Sequence, residues 1–330
     1  MKIIKPNHLI LIPETPYKHI EMIGRTCYKS TDMITADSAI SFVRRLAVKQ
    51  HGAMLEHFRF IVEVPRFDYD LLIKNKFSQY ITFTDYNRYV ISTSARGFND
   101  MLRYMLADDR IYTTEHRILK DIVCAIIEEY DCKYLFDGYF IDAYDTGRYD
   151  SKLISVIKDF AQLSEKEYNM HAWYSVLFTC DRGVSHESVR HRDASFAQES
   201  TRYCNYNNGK FGGEITVIEP FFFDKDEERV HVSGCDWKVN KYDIWYNCMV
   251  NLDNAYRMLI ELGATPQEAR TVLPNSLKTE IVITAQVYEW NHVFDLRVLG
   301  ITGAPHPQMD ESMRPVYDEM VDRGYVKRRD

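Results

Sequence analysis

The chain has 330 residues, 45% of them hydrophobic, 13% aromatic and 27% charged. That is ample material for a large core, and it excludes a disordered or fibrous protein. With 41 Lys and Arg against 48 Asp and Glu the net charge is −7, which excludes a general nucleic-acid coat and leaves only local basic clusters to meet an anion.

No apolar run approaches the roughly 18 residues that span a bilayer, and the opening Met-Lys-Ile-Ile-Lys-Pro is too short for a signal peptide. A cytoplasmic chain with no membrane partner is expected. The seven cysteines, Cys27, Cys124, Cys132, Cys180, Cys204, Cys235 and Cys248, are odd in number and include no C-x-x-C. Neither a disulfide framework nor a zinc ribbon fits, and no metal is expected. Glycine is scarce, at 14 residues, and neither G-x-G-x-x-G nor a P-loop occurs, so any phosphate must be held mainly by side chains.

In chain order, Leu9 to Ile12 reads as a strand. A helix follows from about Ser38 to Gln50, with Ile40, Val43, Leu46 and Ala47 on one face and Gly52 as its C-cap. Glu56 to Val64 nearly alternates before Pro65 and predicts a strand. Residues from about 66 to 170 are rich in Tyr and Asp, with helical spacing at Phe98–Leu106 and Ile118–Tyr130. They carry no chemistry-grade cluster and read as an insertion within a single catalytic domain spanning 1–330.

Trp173 to Thr179 predicts another strand, then a short helix that Ser185 would cap. That helix is expected to carry Glu187, Arg190, His191 and Arg192. Asn207-Asn208-Gly209 predicts a turn before a strand from Glu214 to Glu219. Val239 to Leu262 is helical, burying Ile244, Cys248, Leu252, Tyr256 and Leu259, and Gly263 stops it. Thr265-Pro266-Gln267-Glu268 matches a capping box that opens a short helix through Arg270. Thr279 to Thr284 predicts a strand, and Ala285 to Arg297 a helix. The alternation indicates an α/β chain.

Glu187 lies three and four residues before Arg190 and His191, close enough in a helix to orient both. The guanidinium fork suits phosphate and keeps its charge when partly buried. Alone, an Arg-His-Arg triplet more often marks a solvated face. Here Ser195, Ser200 and Arg202 follow within a dozen residues, and Arg270 and Arg297 sit in apolar settings. A buried arginine there needs an internal carboxylate or a ligand. Cys204, between Tyr203 and Tyr206, fits packing better than attack.

Arg190-His191-Arg192, seven residues, then Ser200 resembles the R-H-R-x7-S signature of flavin-dependent thymidylate synthases. His51-Gly52-Ala53-Met54-Leu55-Glu56-His57 resembles that family's His-x-(Ser/Thr)-x-x-Glu-His segment, Ala269-Arg270-x-x-Leu273-Pro274 its A-R-x-x-L-P, and Leu296-Arg297 its closing L-R. The resemblance covers most of 1–64 and 172–310. It implies the mixed α+β fold of thymidylate synthase complementing proteins, here with a large insertion, and a homotetramer whose active sites are shared between subunits.

By the same resemblance, a flavin (FAD) regenerated by NADPH mediates one-carbon transfer from methylenetetrahydrofolate to C5 of dUMP, giving dTMP. The dUMP site would take Glu187, Arg190, Gln198, Glu199, Ser200, Thr201, Arg202, Arg270 and Arg297. Arg297 would be the catalytic group, stabilising charge on the uracil edge; Ser200 would orient the ring. The flavin would take His51, Arg190, His191, Arg192, Gln198, Gln286, Tyr288 and His292. The family usually has Asn, Arg, Glu and Ser or Thr where this chain has Gln286, Tyr288, Gln198 and Ala53. Outside the resemblance, His51 reads as a helix-capping residue, His57 and His292 as core groups, and Tyr288 and Trp290 as packing. A pyrimidine-monophosphate hydroxymethylase and a silent nucleotide-binding homologue are the alternatives.

Overall fold

The computed structural model describes residues 1–75, 78–106, 114–136, 153–202, 205–206 and 213–329. The predicted Asn207–Gly209 turn and Cys204 lie outside them. Among the described residues the strands are β1 (Lys2–Ile4), β2 (Asn7–Leu11), β3 (Arg59–Glu63), β4 (Thr82–Thr84), β5 (Val90–Ser94), β6 (Ser155–Val156), β7 (Trp173–Asp181), β8 (Ser195–Gln198), β9 (Thr216–Ile218) and β10 (Lys278–Gln286). The helices are α1 (Pro16–Cys27), α2 (Ser38–Val48), α3 (Arg66–Leu72), α4 (Ala95–Leu106), α5 (Thr114–Tyr130), α6 (Glu165–His171), α7 (Arg182–Ser188), α8 (Lys241–Glu261), α9 (Pro266–Ala269), α10 (Val287–Arg297) and α11 (Pro307–Asp322). The fold is mixed α and β.

A four-stranded antiparallel sheet in the order β2-β7-β10-β8 forms the centre. Its middle strands are long and buried: Val176 and Phe178 on β7 and Ile281, Val282 and Ile283 on β10 are all at most 2% exposed. Strands covered on both faces read as near-continuous apolar runs, as β10 does through Ile281 to Ala285. A second antiparallel sheet, β4-β5-β3-β6, is built on β3 by three strands of the 66–170 segment. Side chains of that segment, including Phe98, Ile122 and Phe136, share one hydrophobic cluster with Val176 and Ile281. β1 and β9 pair in parallel apart from both sheets.

Helix α1, which the sequence reading omitted, packs on α2 at a close crossing. A Cβ on Gly24 would stand 2.8 Å from the Phe42 ring, so only glycine fits between the helices. On α2 the buried face is Ala39, Phe42, Val43, Leu46 and Ala47, whereas Ile40 is exposed. The helix ends at Val48, and Gln50, at φ 59°, takes the left-handed position expected of Gly52. Residues 52–57 form a 3-10 turn, so β3 starts later than the predicted Glu56.

Asp181, not Ser185, caps α7 by accepting from the Val184 N–H at 2.8 Å. On α8 the Asn240–Asp243 capping box fixes the start. Trp245, Met249 and Tyr256 line its buried side, while Ile244 and Cys248 are exposed. Gly263, at φ 93°, supplies the expected stop, and Thr265 and Glu268 form the expected capping box.

Candidate functional site

Helix α10 is seated by Trp290, which is fully buried and donates through Nε1 to the Tyr174 carbonyl at 3.1 Å. Its ring stacks near Phe294. This seating delivers Arg297 to the helix C-terminus, where the dipole favours a cation. There Arg297 donates through Nε to His191 Nε2 at 3.2 Å and through Nη1 to Glu187 Oε2 at 3.3 Å. Its Nη2 lies 3.5 Å from the Glu187 carbonyl. Three of its five N–H donors are thereby occupied, and two remain for another acceptor.

The sequence expectation that Glu187 orients Arg190 and His191 along one helix is corrected here. α7 ends at Ser188, and Arg190, His191 and Arg192 lie in the turn beyond it. Glu187 and His191 instead converge on Arg297. His191 accepts at Nε2, which leaves its proton on Nδ1, 3.5 Å from Glu289 Oε1. Both His191 and Glu289 are buried, and the exposed His292 meets the His191 ring edge to face at 5.7 Å. Glu289 was missed in the sequence, although a carboxylate beside Trp290 on an apolar helix face is itself a signal.

Gln198, on β8, donates to Ser185 Oγ on α7 at 2.8 Å and to Thr279 Oγ1 on β10 at 3.2 Å. Glu199 is turned inward, with Lys278 Nζ at 3.1 Å and Lys29 Nζ at 3.5 Å. Both lysines also hold Glu280, at 2.6 Å each. Burial opposes the charge on Glu280, but the two ammoniums outweigh it and hold that carboxyl below the usual range. The Glu199 side chain is thus committed to internal pairs; its neighbour Ser200 accepts from the Arg202 N–H at 3.4 Å.

Arg202 reaches Gln267 Oε1 on α9 at 3.2 Å, bringing the 200–202 turn, with Thr201 half-buried, to the segment that carries Arg270. Arg270 and Arg190 are exposed and make no side-chain hydrogen bond or ion pair among the described residues. The apolar neighbours of Arg270 therefore do not bury it, contrary to the sequence reading. Among the described residues, no hydrogen bond or ion pair joins the Arg202–Gln267 group to the Arg297 group.

The predicted flavin residues divide. Tyr288 and His292 line a cleft of about 1160 Å³ between α6, α10 and residues 323–329. Burial and Asp193 raise the Tyr288 pKa. Gln286 is buried, and its amide donates to Thr82 Oγ1 at 3.0 Å and to the Met170 carbonyl, a tie between β10 and the 66–170 segment. His51 is exposed beside the 3-10 turn and makes no side-chain cap there. Arg192 is exposed at a second pocket of about 580 Å³ that also includes Glu56.

His57 is fully buried and bonds Thr284 Oγ1 through Nδ1 at 2.7 Å. Thr284 is 2.6 Å from Ser175 Oγ, which is 3.0 Å from His19 Nε2. This chain of side chains crosses the central sheet at the register pair Ser175–Thr284. His57 is a core group, as read, though its Nε2 has no partner. Among the described residues no group of three or more His, Cys, Asp and Glu side chains could hold a metal, and no helix is long and apolar enough to cross a membrane.

Residues 145–323, more than half of the chain, match the family model described as thymidylate synthase complementing protein. The chain belongs to that family. It is similar to the flavin-dependent thymidylate synthase of Pyrococcus furiosus, 32% identical over 119 residues, which is 36% of this chain and 43% of that one. It is similar also to that of Geobacter sulfurreducens, 33% identical over 116 residues, covering 35% and 43%. The matches thus span less than half the length of these relatives. Among solved structures, a UMP/dUMP methylase, PolB, from Streptomyces cacaoi bound with 5-Br dUMP aligns over 99% of this chain and 93% of its own, with a TM-score of 0.39 and 12% identity.

Proposed function

We propose that this chain is a flavin-dependent thymidylate synthase, adding a one-carbon unit from methylenetetrahydrofolate to C5 of dUMP in a cytoplasmic homotetramer. The observation that carries the reading is the convergence of Arg297 with Glu187 and His191. Two segments of separate family resemblance, the stretch from Glu187 into Arg190-His191-Arg192 and the closing Leu296-Arg297, would meet there through hydrogen bonds to one guanidinium. Arg297 keeps two donors free, in a half-buried setting where a hydrogen bond to developing negative charge is stronger than in water.

The residues present fit a phosphorylated aromatic cofactor. Tyr288 offers a ring and His292 a donor at the larger cleft, and Arg192 offers a free guanidinium at the smaller one. A bound reduced flavin, replenished by NADPH, would supply the hydride. Arg297 would hold the uracil edge, with Glu187 and His191 fixing its plane. Arg202 and Arg270, exposed on adjacent segments, would take the nucleotide phosphate. Gln198 and Ser200 would position the backbone beside the ring.

The test is the absorption spectrum of the purified protein before and after anaerobic NADPH, followed by product analysis with dUMP and with dCMP. A yellow protein that bleaches and converts dUMP to dTMP supports the reading. A colourless protein that binds dUMP without turnover defeats it, and a hydroxymethylated product reassigns it.

A further inference from the structure

Glu289 is 4% exposed and stands beside the fully buried Trp290 in the first turn of α10. A carboxylate in a first turn is favoured by the helix dipole even when it points to solvent. Turning it inward strips its hydration, which is unfavourable unless another group takes the place of water. Among the described residues this carboxylate makes no hydrogen bond, and its ion-pair partner is His191 Nδ1, 3.5 Å from Oε1. The adjacent Tyr288 does not complete it. Burial, Asp193 and Glu289 raise the Tyr288 pKa against the opposing charge of Arg59, and Asp193 is the carboxylate to which the hydroxyl bonds.

His191 is buried as well, in the turn beyond α7. Its two ring nitrogens meet opposite ends of α10. Nδ1 faces Glu289 in the first turn, and Nε2 accepts from Arg297 Nε in the last turn at 3.2 Å. His292, between the two on the same helix, meets the ring edge to face at 5.7 Å. A ring held at one nitrogen can still swing about that contact, whereas a second contact at the other nitrogen fixes its direction. A carboxylate behind an imidazole is a recurrent way of aiming the nitrogen in front.

We propose that Glu289 is a positioning residue, which through His191 sets the direction in which Arg297 presents its remaining N–H donors. The contacts run from Glu289 to His191 to Arg297, beginning and ending on one helix. α10 therefore carries both the guanidinium that meets the ligand and the carboxylate that aligns it. Glu187, on α7, holds the same guanidinium at 3.3 Å through a different nitrogen. The consequence for turnover rests on the function proposed above; the alignment of His191 does not.

The experiment compares Glu289→Met with Glu289→Gln in the full chain carrying isotope-labelled histidine, the ring nitrogens of His191 being assigned by their loss from the NMR spectrum of His191→Gln. Met and Gln nearly match Glu in volume, but only Gln offers Nδ1 an oxygen. Both lose the charge, so a carboxylate that served the helix dipole alone would make the two variants alike. The His191 resonances should shift in Glu289→Met and stay near wild type in Glu289→Gln. In dTMP assays Glu289→Met should lower kcat about tenfold and leave KM for dUMP within about twofold, because alignment is lost while binding is kept. Glu289→Gln should restore most of kcat. Unmoved resonances in Glu289→Met, equal shifts in the two variants, or wild-type kcat in Glu289→Met overturns the proposal. A wild-type protein that makes no dTMP defeats the proposed function and leaves the His191 resonances to decide the alignment. Should Glu289→Met fail to fold, Glu289→Asp decides. It draws the carboxylate back by one methylene and keeps the charge in the first turn, so the resonances shift if Glu289 aligns His191 and hold if it serves the dipole.

Discussion

Arg297 and His191, 106 positions apart in the chain, meet through a hydrogen bond of 3.2 Å from the guanidinium Nε to the imidazole Nε2. With that nitrogen accepting, the ring turns its other nitrogen, Nδ1, toward Glu289 Oε1 at 3.5 Å. The bond fixes the rotation of the guanidinium about its own axis. Glu187 fixes its tilt.

Arg297→Ala should retain reduction of the bound flavin by NADPH while dTMP formation falls about a hundredfold or more, the loss typical of one donor aimed at developing charge. His191→Gln, which keeps an acceptor for Nε, should cost less than His191→Ala. Wild-type turnover in Arg297→Ala removes the residue from its proposed role. Single-turnover product assays check all three variants.

Arg202 is held by Gln267 and lies on the exposed side of the 200–202 turn. Arg202→Ala should weaken dUMP binding by about 1.5–3 kcal/mol if a charge-assisted hydrogen bond is lost. Gln267→Ala, which removes one hydrogen bond from the side chain without removing the side chain, should have a smaller effect. An unchanged dissociation constant for Arg202→Ala places the residue off the site.

Three buried histidines set the acid limit of stability. Burial lowers the pKa of His19 to about 4, of His57 to about 3 and of His171 to about 4. His171 is bonded at both nitrogens, by Thr84 and Ser92 at 2.8 Å each. In the unfolded chain each would titrate near the usual 6.5. Below that pH the unfolded state takes up protons that the native state refuses. Stability is therefore complete above about pH 6.5 and lost as the pH falls toward 4, with each histidine contributing a slope of up to about 1.4 kcal/mol per pH unit. Urea unfolding at stepped pH should show a slope approaching three protons. A flat profile between pH 6 and pH 4 would refute the assignment.

Gly24 faces the Phe42 ring with no room for a methyl group. Gly24→Ala gains helix propensity on α1 but must push the ring aside, and the overpacking should dominate, destabilising the protein by about 1–3 kcal/mol. Gly24→Ala with Phe42→Leu should recover most of the loss. Thermal melts of the two variants decide between the terms.

Local patterns carried much of the fold. The Thr265–Glu268 and Gly263 signals act within one turn, and both occur where their residue types required. β7 and β10 were legible because long β-branched or apolar runs between breakers admit few alternatives. Which face of a helix turns inward was less legible. Neighbouring residues differ by about 100° around the axis, so Phe42 or Ile40 on α2, and Met249 or Cys248 on α8, can each complete an apolar stripe. The elements packed against the helix choose between them.

The chain's own residues determined the family resemblance, the capping boxes and the central strands, because each depends on side chains only a few positions apart. Tertiary structure decided that Glu187 and His191 serve Arg297 rather than one another, since α7 stops at Ser188 and the contact spans more than a hundred residues. It also decided that the 66–170 segment adds its strands to β3 and encloses Arg59. Sheet pairing and the loss of solvent around a guanidinium depend on what folding brings alongside, and neither leaves a local mark in sequence.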